Sequence, residues 1–219
     1  MSSSLRWLSN NPITGECNPD GPGKALDRSP LPRLVPGKGT YKEALTGIGE
    51  KAVIVATRIS KGVDVRRLRE NYEGSLSIHR FHGAQVRHMK YYLSNHLAEE
   101  RPDVAIIHGG GNDIPCGKNQ KVSLLDVANN IIDMGHICRQ YGVSRVCISS
   151  VLPRDDFYFQ FRRTELNDLL RDMCVLNNPT FALSQHIHVD GVHLNKRGSS
   201  LLASNYLQFL YNALCPPAA

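Results

Sequence analysis

A chain of 219 residues with 41% hydrophobic and 21% charged side chains buries one sizeable core and fits one domain with a loose terminal extension. No apolar run approaches the roughly 18 residues that span a bilayer, and the opening MSSSLRWLSNNP lacks the apolar centre of a signal peptide, so the expectation is a soluble, intracellular protein. The formal charge of +6 is uneven: between Arg58 and Lys90, basic Arg58, Lys61, Arg66, Arg67, Arg69, Arg80, Arg87 and Lys90 face only Asp64, Glu70 and Glu73. Such a stretch favours anionic partners, although a solvated basic face has the same composition.

Residues 1–40 are rich in Pro, Gly, Ser and Asn, with GPG, SPLP and VPGKG segments and no sustained apolar period; an extended or disordered leader is expected there. The main domain is expected over residues 41–215. Ala52–Ala56 is a continuous apolar run suited to a central parallel strand, and it exits into Thr57, Arg58, Ile59, Ser60, Lys61 and Gly62. Leu76–Phe81 alternates in period two, and Val104–His108 is again continuous. Val146–Val151 is a fourth candidate strand, with weaker ones around Phe181–Leu183 and Val35.

Helical patterns fall between them. Gln85–Leu97 carries a weak apolar stripe. Ser123 followed by Asp126 resembles a capping box, with Leu124, Ala128, Ile131 and Ile132 on one face and Gly142 as a stop; Arg162–Leu176 and Ser199–Leu214 carry similar stripes. Strand and helix in alternation predict a three-layer α/β/α fold with a mostly parallel central sheet, of the flavodoxin-like kind. The six cysteines (Cys17, Cys116, Cys138, Cys147, Cys174, Cys215) show no CxxC pair or zinc spacing, and reduced, mostly buried thiols are expected.

Loops after strands carry the chemistry of such folds. After Phe81 comes His82-Gly83-Ala84, and after His108 comes Gly109-Gly110-Gly111-Asn112-Asp113. The glycines permit close backbone approach, and Asn112 can offer amide N–H donors to an oxyanion; the plainer role is a glycine turn with Asn112 and Asp113 capping the next segment. The spacing does not fit a dinucleotide loop. Asp190-Gly-Val-His193 lets a carboxylate hold one imidazole nitrogen while the other faces a cleft, as in the orienting half of a triad, whereas the plainer role is a helix cap beside a surface histidine. His186 and His188 lack a matching ligand set, so neither a metal nor a cofactor is expected.

Taken together, the first strand and its exit, Gly83, Gly110-Gly111-Asn112-Asp113 and Asp190-x-x-His193 resemble the SGNH, or GDSL-type, hydrolase family over residues 35–214. The VPGKGTY lead-in, FHGA, IIHGGGNDI and DGVHL also resemble SGNH domains of cnidarian proteins and of the first-frame proteins of CR1-like non-LTR retrotransposons. The resemblance implies an esterase site in which His193 is the base, Asp190 its partner, and Gly83 and Asn112 donate to the oxyanion. The family's nucleophile is the serine of a G/T-D-S signature after the first strand. Here that stretch reads Ala56-Thr57-Arg58, with neither the acid nor the serine.

A guanidinium stays protonated and supplies no nucleophilic lone pair, so the ordinary serine mechanism is not expected. One outcome is a degenerate hydrolase whose cleft binds an anionic ligand through Arg58, or holds RNA or DNA with the help of Arg66, Arg67, Arg87 and the other basic residues. Tyr91, Tyr92, Phe157, Tyr158 and Phe159 are the candidate stacking aromatics. The other is an active hydrolase of small acyl esters or lipids that uses Ser60 or Thr57 with His193 and Asp190. Each has an argument against it: two positions along a helical turn rotate the Ser60 side chain by about 200°, away from the cleft, and Thr57 is expected to point across the strand end.

Overall fold

The computed structural model describes residues 50–115, 121–174, 176–177 and 183–214. The expected leader, the strand around Val35, and Cys17, Cys116 and Cys215 lie outside the described residues.

The described chain runs β1 (Lys51–Thr57), a 3-10 turn (Arg58–Gly62), α1 (Val65–Glu70), β2 (Ser75–Phe81), α2 (Val86–Glu100), β3 (Val104–His108), α3 (Leu124–Gln140) and β4 (Arg145–Ser149). It continues through α4 (Phe157–Met173), β5 (Leu176–Asn177), α5 (Leu183–His186) and α6 (Lys196–Leu214). All strand pairs are parallel, in the order β2-β1-β3-β4-β5, with β5 a two-residue edge. The expected α/β class with helices on both faces is therefore the observed one.

The layers follow from the alternation of side chains along the strands. Val53, Val55, Ala105, Ile107, Val146 and Ile148 pack with α2, α3 and α4 through Met89, Leu93, Ile131, Met134, Phe159 and Leu166. Ala52, Ile54, Ala56, Val104, Ile106 and Cys147 face the other way, onto Val63, Leu68, Leu202, Tyr206 and Leu210. Burial on both faces is why β1 and β3 read as continuous apolar runs.

Local capping sets the helix starts. Ser123 Oγ accepts the Asp126 N–H at 3.2 Å at the head of α3, as its capping pattern predicts. Asp156 caps α4 by accepting the Phe159 N–H at 2.6 Å, and Asn195 Oδ1 accepts the Gly198 N–H at 3.0 Å near the start of α6. Gly142, at φ +84°, ends α3 as expected.

Three expectations need correction, and one helix had no expectation. β4 ends at Ser149, and Ser150 and Val151 leave the sheet: the Val151 N–H donates to Asn167 Oδ1 at 2.8 Å, and the Val151 carbonyl accepts from its Nδ2 at 3.1 Å. The helix expected over 162–176 spans Phe157–Met173, and Leu176 is instead the first residue of β5. Leu183 opens the short helix α5 rather than closing a strand; Phe181 and Ala182 lie outside the described residues. The sequence reading also missed α1, where Asp64 accepts the Arg67 N–H at 3.1 Å. Cys138, Cys147 and Cys174 are buried thiols in no disulfide, as expected of core cysteines.

Ile54, fully buried in β1 between two strands, tests this core. Ile54→Ala should cost about 2–5 kcal/mol, read as a lower urea midpoint at unchanged slope; a loss below about 1 kcal/mol would contradict close packing there.

Candidate functional site

Strand order reverses direction at β1: the chain steps from β1 to β2 on one side, then crosses to β3, β4 and β5 on the other. At such a switch point the loops after adjacent strands part, leaving a crevice at their carboxyl ends. A cleft of about 420 Å³ lies there, lined by Thr57, His82, Gly83, Asn112, Arg154, Val192 and His193. The first four follow or end β1, β2 and β3; Arg154 comes from the loop after β4, and Val192 and His193 from the loop before α6.

The Asp190–His193 loop folds on its own carboxylate. Asp190 Oδ1 accepts the backbone N–H groups of Val192 and His193, both at 2.9 Å, and Asp190 Oδ2 lies 2.7 Å from His193 Nδ1. The His193 backbone N–H, then that of Val192, then the imidazole hold the Asp190 carboxyl well below the usual carboxylate range. Asp190 is thus an anion at neutral pH, which fixes hydrogen on Nδ1 and leaves Nε2 as the basic nitrogen. Asp190 caps its own loop, and Asn195 caps the start of α6. Gly191, at φ +70°, completes the turn, and its carbonyl accepts the Asp155 N–H at 2.6 Å, tying this loop to the one that carries Arg154.

Across the cleft, Asn112 is pinned at both ends. Its Nδ2 donates to the Ala84 carbonyl at 3.1 Å, and its Oδ1 accepts from Arg154 Nη2 at 3.1 Å. Each amide nitrogen has two hydrogens, so one donor remains beyond the Ala84 bond. Gly83, at φ +68°, sits in the left-handed region beside open space, so conformation rather than crowding calls for glycine. Gly110, at φ +95°, brings the next loop so close to the core that a Cβ would sit 3.1 Å from Val151 and 3.2 Å from Ile131.

The neighbouring Asp113 faces away from the cleft. Both its carboxylate oxygens lie 3.1 Å from the Val86 N–H, so it caps the head of α2, an earlier helix, rather than the segment that follows it as expected. Burial pushes its pKa up to about 6, against the opposing pull of that N–H. Beneath the loop, His108 is fully buried with Nδ1 2.9 Å from the Tyr206 hydroxyl, and burial lowers its pKa to about 4.

Arg58 opens the 3-10 turn directly after Thr57, at the carboxyl end of β1; its side chain lies outside the described residues. Thr57 is buried in the cleft wall. Ser60 is 1% exposed, its hydroxyl donates to the Thr57 carbonyl at 3.1 Å, and it is not among the cleft-lining residues.

Among the other basic residues, Arg66 pairs with Glu70 at 2.9 Å, and Lys90 with Asp133 at 2.6 Å. Arg69 and Arg80 donate to the carbonyls of Leu76 and Val63, while Arg67 and Arg87 are exposed. Of the candidate stacking aromatics, Tyr91, Tyr92, Phe157 and Tyr158 are exposed, but Phe159 is buried in the core, and its ring carries the Arg154 guanidinium 4.6 Å from the centroid.

The sequence reading did not single out Arg154. The strand-end rule that found Gly83 and Asn112 applies equally to the loop after β4, and would have found it.

No family model and no curated protein matches the chain. Solved structures do. A GDSL-like lipase from Bacteroides thetaiotaomicron superposes with a TM-score of 0.60 at 16% identity, over 75% of this chain and 89% of its own. A lipase/acylhydrolase from Enterococcus faecalis gives 0.60 at 16% identity, over 78% and 100%. A psychrotrophic esterase from Pseudoalteromonas sp., in a structure inhibited by monoethylphosphonate, gives 0.57 at 16% identity, over 75% and 98%.

The chain has the SGNH-hydrolase fold. Among the described residues, no helix is long and apolar enough to cross a membrane.

Asp113 gives this site a testable pH signature. In the folded chain it keeps its proton up to about pH 6, whereas an unfolded aspartate releases it near pH 4. Between those values the folded state binds more protons, so this contribution to stability is present at low pH and lost as pH rises. Relative to Asp113→Asn, the wild type should lose on the order of 2 kcal/mol between pH 4 and 7 in urea titrations; equal pH slopes would show that Asp113 titrates normally.

Proposed function

We propose that this chain is an esterase-derived protein that keeps an acid–base pair, His193 and Asp190, but carries Arg58 where a hydrolase of this fold has its serine. Its cleft then binds a small anionic ligand, a carboxylate or phosphate, in place of rapid ester turnover. The observation that carries this reading is the cleft lining: a histidine base, Asn112, Gly83 and the Arg154 guanidinium meet there, while Ser60, two positions beyond Arg58, is buried with its hydroxyl on the Thr57 carbonyl. A planar guanidinium presents paired N–H donors that match carboxylate and phosphate oxygens. Arg58 adds a second permanent cation to the loop that ends in this wall.

A small ligand is favoured over nucleic acid by how the basic stretch is used. Arg66 and Lys90 are paired with carboxylates, and Arg69 and Arg80 donate to backbone carbonyls. Within that stretch, binding of RNA or DNA would therefore rest on Arg58, Lys61, Arg67 and Arg87.

One observation favours a second reading. Thr57 lines the same cleft as His193, and a threonine hydroxyl activated by a histidine is a competent nucleophile for an acyl ester. Ser60 lacks this access.

Two experiments separate the readings. The wild type should hydrolyse a short-chain aryl ester near background, because loss of a triad nucleophile costs on the order of 10⁶ in turnover. Arg58→Ser combined with Thr57→Asp should raise the rate by at least about 10³, and adding His193→Ala should abolish the gain. Wild-type turnover that vanishes in both Thr57→Val and His193→Ala would establish the threonine reading instead.

Separately, inorganic phosphate or acetate titrated into the wild type should perturb the cleft resonances in NMR spectra, with affinity lowered about tenfold or more in Arg154→Ala. Absence of saturable binding by either anion would overturn the ligand reading.

A further inference from the structure

Away from the cleft, the outer face of the edge strand β2 carries Ser77, His79 and Phe81 at alternate positions. Opposite them, α2 presents His96 and Glu100, four residues apart and therefore on one face of the helix. The imidazoles of His79 and His96 stack with centroids 3.8 Å apart and planes at 24°. His79 Nε2 lies 2.5 Å from Glu100 Oε1, while the other carboxylate oxygen of Glu100 accepts the Ser77 hydroxyl. Phe81 closes one side, edge-on to His96 at 6.0 Å. All three side chains are half-buried, and one ligand-type atom from each lies within 4.8 Å of the other two.

We propose that His79, His96 and Glu100 form a binding site for a divalent transition-metal ion of the zinc class, with solvent in the fourth position. Two imidazoles and one carboxylate are a set that zinc takes in three-ligand sites. Its bonds of about 2.0–2.2 Å space ligand atoms by roughly 3.4 Å, so groups gathered within 4.8 Å need only side-chain rotation to close on an ion.

The surroundings suit that role. The Ser77 hydroxyl orients the carboxylate as outer-shell partners of metal ligands do. The two imidazoles are held side by side, with centroids 3.8 Å apart, so that a nitrogen of each lies near the Glu100 carboxylate. Half-burial leaves a solvent-facing side for water. An ion here would join the edge strand to α2, both of which also reach the cleft: the loop between them contains His82 and Gly83.

The test uses the untagged full chain after chelator dialysis. Titration with Zn²⁺ in a calorimeter should show one saturable equivalent, and Co²⁺ should give the visible absorption of a four-coordinate site. Bound Zn²⁺ should also raise the thermal midpoint, since a ligand of the native state stabilises it. His96→Ala and Glu100→Gln should each weaken binding by about a hundredfold, and Ser77→Ala by about tenfold. His136→Ala, on the exposed side of α3, should leave binding unchanged.

Circular dichroism establishes that each variant is folded. If His96→Ala does not fold, the more conservative Glu100→Gln carries the comparison. No saturable Zn²⁺ binding by the folded wild type overturns the proposal. So does binding that folded Glu100→Gln retains at wild-type affinity.

Discussion

The constraint on which the structure depends is the burial of β1 on every side. Its neighbours β2 and β3 satisfy its backbone through parallel ladders, α2, α3 and α4 cover one face, and α6 with the α1 region covers the other. A strand placed this way has only its ends free. Because the connections leave in opposite directions from it, the carboxyl ends of β1, β2 and β3 open on a common crevice, and their loops meet there. The cleft is a consequence of strand order before it is a consequence of any particular side chain.

Within that crevice, rigidity comes from short polar contacts that cross between loops. Asn112 links the β3 loop to Ala84 in the β2 loop and to Arg154 in the β4 loop. Asp155 donates to Gly191, so the β4 loop also holds the Asp190–His193 loop. Four segments distant in sequence thus hold one another, and Asp190, an anion fixed by two backbone donors, orients His193 within them. The contacts that hold this frame run between Ala84, Asn112, Arg154, Asp155 and the Asp190–His193 loop.

Glycine serves two different needs around this frame. Gly83 supplies a positive φ beside open space, whereas crowding adds to a positive φ at Gly110, from Val151, Ile131 and Leu166, and at Gly191, from Asp155. The run of glycines after β3 was legible as a turn. That one of them wedges against the core while its neighbour Gly111 lies against the Arg154 guanidinium required the folded chain.

Much of the fold was readable because its elements are long and periodic. Continuous apolar runs marked β1 and β3, period-two alternation marked β2, and the Ser123 cap marked α3. Misreadings fell where local pattern is weak: the six-residue α1, the two-residue β5, and Ser150 and Val151, buried residues beyond the end of β4, where Asn167 of α4 satisfies the Val151 backbone.

The sequence alone determined the candidate residue types, the DxxH spacing that lets Asp190 reach His193, and the arginine after Thr57. Tertiary structure decided which of them meet. Ser60 is two positions from the strand end yet turns inward, Phe159 leaves the exposed aromatics for the core, Arg154 enters the cleft, and His79 meets His96 and Glu100 across the sheet edge. Those pairings depend on distances between segments that no local pattern encodes, set by the packing of helices onto both faces of one buried strand.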